Sequence, residues 1–87
     1  MITSNKDLLL LLQRLVTLFA EKGWSDLAAG AQSACKYWTG SQTEFLHYSG
    51  EYISQVVDDI RISDTLREEL RLAKRAIDQA FRQVGGA

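Results

Sequence analysis

The chain has one cysteine and one histidine, and their neighbours decide what reactions they could serve. Cys35 falls on an apolar stripe with Leu27, Ala31 and Ala34, where a thiol behaves as a small hydrophobe with no base beside it. His47 sits among Phe45, Leu46 and Tyr48, the setting of a surface or interface imidazole and not of a general base. Asp58 and Asp59 are adjacent, so on a helix they point about 100° apart and form no catalytic carboxylate pair. The six glycines are scattered and make no phosphate-cradling loop. No Cys pair, His pair or Asp-x-Asp calcium loop offers metal ligands. The expectation is a protein that is not an enzyme and holds neither metal nor cofactor.

A different chemistry is legible between residues 37 and 52. Tyr37, Trp38, Phe45, Tyr48 and Tyr52 crowd together there, interleaved with Glu44, His47 and Glu51. Phe45 and Trp38 read as core. Three tyrosines beside carboxylates are harder to bury, because each hydroxyl needs a partner. Tyrosine offers contact area at low entropic cost, and acids beside it set orientation and association rate. The expected partner-binding surface is Tyr37, Tyr48, Glu51, Tyr52, Asp58 and Asp59. The bland alternative is three tyrosines half-buried at the edge of a bundle, hydroxyls in water.

The elements that carry these residues follow from periodicity and end signals, and they predict an all-α, small antiparallel bundle of four helices. The first runs over about 5–22, capped by Ser4 or Asn5, with Asp7 favouring the dipole. It ends at Gly23, which makes Phe19 and Trp24 the touching pair of a Schellman ending. The second spans about 26–39 behind a Ser25 cap, with a face of mostly small residues. The third covers about 42–61 after the capping box Ser41-Gln42-Thr43-Glu44, with a break expected near 49–50. The fourth covers about 64–84, capped by Ser63 or Asp64, its Leu66, Leu70, Ala73, Ile77, Ala80 and Val84 repeating at helical spacing.

The first helix has an unusual surface. Leu8 to Leu12 are five consecutive leucines, which at helical spacing go right round the axis. Such a girdle is covered on most sides by the rest of the chain or by a second copy. Leu8, Leu9, Leu10 and Leu12 are therefore the expected contacts of a homodimer.

Eighty-seven residues, no proline, 46% hydrophobic and 24% charged side chains fit one folded helical domain over 1–87. Net charge is −1 and no basic block exists, so nucleic acid is not an expected partner. The charge is uneven: residues 41–64 carry five acids against Arg61, which favours a cationic partner surface. The leucine run is too short to span a bilayer, and Lys6-Asp7 and Glu21-Lys22 fit no signal peptide. With a lone cysteine, a reducing, cytoplasmic setting is expected.

Tyr48, Glu51, Tyr52, Asp58 and Asp59, on a helical segment after a short loop, resemble the acidic tyrosine-bearing surface of small all-helical bacterial immunity proteins. These neutralise toxins delivered between competing bacteria. The leucine-rich helix, Gly23-Trp24 and Ser63-Asp64-Thr65-Leu66 are also similar to a family of uncharacterised bacterial proteins of about this length. The first resemblance implies an inhibitor whose partner is a cognate toxin. The alternative is a homodimeric assembly or adapter module without inhibitor activity. A dimer exposing the tyrosine surface would satisfy both.

Overall fold

The computed structural model describes residues 4–83, and its helices start and stop where local chemistry demands. The four helices are α1 (Asn5–Glu21), α2 (Ser25–Cys35), α3 (Gln42–Val56) and α4 (Asp64–Gln83), with a single 3-10 turn (Lys36–Thr39) after α2. Ser4 caps α1 by accepting the Asp7 N–H at 3.2 Å, Ser41 caps α3 by accepting from Glu44, and Ser63 caps α4 by accepting from Leu66. Ser25 is not a cap but the first residue of α2.

Gly23 turns the chain out of α1 at φ 76°, a conformation that favours a residue without Cβ. Trp24 N–H then donates to Phe19 C=O at 2.9 Å and Gly23 N–H to Ala20 C=O at 3.1 Å, the two bonds of a Schellman ending. The Phe19 and Trp24 rings meet at 5.8 Å between centroids.

Successive helices run antiparallel. Gly30 of α2 faces Tyr52 of α3, while further along Trp38 meets Phe45. Gly50 faces Ile77 of α4, and His47, earlier in α3, meets Phe81, later in α4. Arg14 of α1 pairs with Glu69 of α4 at the surface.

The core is one cluster built from the inward stripe of every helix: Leu8, Leu12, Leu15 and Phe19 with Ala31, Phe45, Ile53, Leu70 and Ile77. Each large member fully withdrawn from water stabilises the fold by about 1.5–3 kcal/mol. The leucine girdle is thereby divided. Leu8, Leu11 and Leu12 are interior and Leu9 is half-buried, while Leu10 is more than half exposed. Leu8 and Leu12 are therefore core residues and not contacts for a second copy.

Three boundaries differ from expectation. The second helix gives way at Lys36 to the 3-10 turn. The break near 49–50 does not occur, because α3 is continuous. A Cβ on Gly50 would lie 3.3 Å from Ile77 Cγ2, so that glycine serves a close helix contact and not a kink. Finally, α3 ends at Val56 and not near 61. Asp58 and Asp59 thus lie in a turn. Val84, expected at the end of the fourth helix, lies outside the described residues. No described helix is long and apolar enough to cross a membrane.

Candidate functional site

The 3-10 turn after α2 decides where the aromatic residues go. By tightening the chain at Lys36–Thr39, it brings Tyr37 back over the first turns of α3. The Tyr37 and Tyr48 rings stack there with centroids 4.1 Å apart and planes 17° from parallel. His47 stands edge-on to Tyr48 at 5.0 Å and edge-on to Phe81 of α4 at 6.5 Å. Four rings thus form a continuous band from the 3-10 turn across α3 to α4. Trp38, expected in the core, is 40% exposed beside this band, with its ring against the buried Phe45 at 5.5 Å.

Carboxylates frame the band. Glu44 lies one turn before Tyr48, and Glu51 lies three residues after it on the same face. His47 Nε2 is 3.2 Å from Glu51 Oε1, which orients that acid. The Tyr48 hydroxyl is held above the usual phenol range, first by Tyr37 beside it, then by partial burial and by the two glutamates. It is therefore a neutral donor at physiological pH.

Two other expected contributors lie elsewhere. Tyr52 is buried at 8% exposure, its hydroxyl donating to Leu27 C=O at 2.7 Å. Burial first, then Asp26, holds its pKa well above the ordinary phenol value. Tyr52 is a core residue that ties α3 to α2, not part of a surface. Asp58 and Asp59 follow the opposite end of α3, about 12 Å along the axis from Tyr48 at 1.5 Å per residue to Val56. The expected single surface is therefore two. Tyr37, Tyr48 and Glu51 belong to one, joined by Glu44 and His47; Asp58 and Asp59 belong to the other.

The second region is a network around one guanidinium. Arg61 donates from its backbone N–H and from Nε to Asp59 Oδ1 at 2.9 and 3.0 Å, and from Nη2 to Oδ2 at 2.8 Å. Its Nη1 and Nη2 also reach the two oxygens of Asp26 at 3.1 and 2.8 Å. The same guanidinium lies 5.4 Å from the Trp24 ring centroid, within cation–π reach. Arg61's hydrogen bonds hold the Asp59 carboxyl down at about 2 and also lower Asp26. The sequence hid this network, since Asp26 and Arg61 are 35 residues apart.

Cys35 is half-buried and its thiol is raised by desolvation, the reverse of an activated nucleophile. Among the described residues no group of three or more His, Cys, Asp and Glu could hold a metal ion. A groove of about 440 Å³ opens between the first turns of α1 and α3 and the end of α4. Leu8, Leu46 and Ile77 line it with Asn5, Gln42 and Gln79, and none of its lining residues is titratable. No protein-family model matches the chain, no curated protein matches it, and no solved structure matches its fold.

Proposed function

We propose that this chain is a non-enzymatic protein-binding protein whose recognition surface is the stacked Tyr37–Tyr48 pair with Glu44, His47 and Glu51. The observation that carries this reading is the stack itself, with Tyr48 38% exposed. Two rings held parallel by the fold offer apolar area and a hydroxyl donor with little rotamer freedom left to lose on binding. The flanking glutamates select a partner with basic groups opposite them. By the resemblance to immunity proteins, the partner is a cognate bacterial toxin and the effect is inhibition.

The test is affinity capture from the producing organism with wild type and Tyr48→Ala in parallel, followed by growth of cells making the captured protein. A specific partner lost with Tyr48→Ala, whose toxicity the wild type relieves, is the expected result. A partner retained by Tyr48→Ala overturns the surface, and a partner without toxicity overturns the inhibitor role.

A second reading, homodimerisation, is favoured by one feature. Leu10 lies a turn before Arg14 on α1, and Leu72 lies three residues after Glu69 on α4. The Arg14–Glu69 pair therefore places these two leucines, each more than half exposed, along the same α1–α4 face. Of the originally expected contacts, Leu10 and the half-buried Leu9 remain. Sedimentation that depends on concentration in the wild type and not in Leu10→Glu would support it. A monomer at every concentration would exclude it.

A further inference from the structure

At the end of the molecule away from the tyrosine stack, the turn between α3 and α4 combines a rigid backbone with an apex that the fold does not use. Asp59 N–H donates to Val56 C=O and Ile62 N–H to Asp59 C=O, which makes residues 59–62 a β-turn with Ile60 and Arg61 in its centre. The Asp59 carboxylate accepts the Arg61 N–H and side chain, closing the turn locally. From the far side, Arg67 of α4 donates Nε to Val57 C=O at 2.8 Å and Nη2 to the carbonyls of Asp59 and Ile62 at 3.0 and 3.2 Å. Ile62 is buried at the base.

Ile60 stands in the middle of this clamp at 96% exposure. It touches almost nothing, so it contributes nothing to the core. Turn chemistry does not call for it either, since Gly, Pro, Asn, Asp and Ser are what such positions favour. A β-branched apolar side chain on a fixed backbone has few rotamers to lose. That is the profile of an anchor which fills a pocket on another molecule.

The charges around it indicate which pocket. Residues 58–64 carry Asp58, Asp59 and Asp64 against Arg61, and Arg61 is already shared between Asp59 and Asp26. Arg67 is occupied with the turn carbonyls and Asp64. Lys22 also lies over the Trp24 ring beside Arg61, so Asp26, Asp59 and Asp64 are matched by bases. Asp58, exposed two residues before Ile60 and in no ion pair among the described residues, is the free acid at the apex. We infer that Ile60 is an anchor residue that inserts into an apolar pocket of a partner protein whose rim carries lysine or arginine side chains. This surface stands apart from the Tyr37–Tyr48 reading and does not depend on it.

The experiment places photoreactive p-benzoylphenylalanine at position 60 of the full chain in producing cells, with exposed position 13 as control. The adduct is mapped, and the partner is then purified for binding measurements. The expected result is a position-60 adduct inside an apolar pocket bordered by Lys or Arg. Ile60→Ser should weaken binding of that partner by roughly thirtyfold or more, the size of a hot-spot effect. Ile60→Val should retain it within about threefold, and both variants should melt like wild type because the side chain is outside the core. Asp58→Asn should lower the association rate and its salt dependence. No adduct above the control, a pocket without basic groups, or an affinity unchanged by Ile60→Ser overturns the proposal. An adduct to a second copy of this chain overturns it as well, in favour of self-association.

Discussion

The ring of Tyr52 lies against the backbone of Gly30, so close that a Cβ there would stand 2.6 Å from Tyr52 Cε1. The ring has nowhere to retreat, because its hydroxyl is bonded to Leu27 C=O one turn earlier on α2. Gly30→Ala should therefore destabilise the protein, although alanine is the better helix former by about 1 kcal/mol. Overpacking against a pinned ring costs about 1–3 kcal/mol in all, which exceeds that gain when the ring cannot shift. Urea denaturation should show a lower midpoint with an unchanged slope.

Tyr52→Phe isolates the hydroxyl from the ring. The lost bond is worth about 1 kcal/mol, and Leu27 C=O can keep its own helical partner, so no buried acceptor is orphaned. The partner captured through Tyr48 should be retained at unchanged affinity. A large binding loss would return Tyr52 to the recognition surface.

Ser49 is fully buried in α3, and its hydroxyl has no hydrogen-bond partner. Ser49→Ala removes the uncompensated polar atom and improves helix propensity. It should raise stability by about 1 kcal/mol, which for a domain of this size is roughly 4–8 °C in Tm by calorimetry. A fall in Tm would show that the hydroxyl is satisfied in solution.

Asp59 makes the protein acid-sensitive in a defined window. Its carboxyl is lowered from 3.8 to about 2, chiefly by hydrogen bonds from Arg61. The unfolded chain thus binds the proton at higher pH than the folded one. The contribution is complete above the ordinary value and is lost as pH falls through the folded one. Asp26, lowered by the same guanidinium, acts in the same sense. Urea midpoints should decline in that range, and Asp59→Asn should flatten part of the decline. An identical pH profile would rule the network out as its source.

The parts of the fold readable in the sequence were those written within a few residues. Ser41, Ser63 and Gly23 act on backbone groups one to three positions away, so their chemistry is visible without a neighbour. The breaks and surfaces were harder because their causes are distant. Gly50 looks like a helix breaker until Ile77 is set beside it. Tyr52 looks like a surface phenol until a carbonyl 25 residues earlier is found to hold it. Ile60 keeps the helical rhythm of Val56 and Val57, yet the guanidiniums of Arg61 and Arg67 draw the backbone into a turn. Tyr37 and Tyr48 both belong to the expected surface, but their stacking depends on a 3-10 turn that no local signal announces.

Arg67 belongs to α4 but holds three carbonyls of the connector before it. The connector and the first turns of α4 therefore form one cooperative opening unit. Amide hydrogens of Ile62 and Asp59 should exchange with solvent only when that helix end frays, and on the same clock. Local fluctuation at this end should then be all-or-none, so that a molecule arriving there meets a single shape.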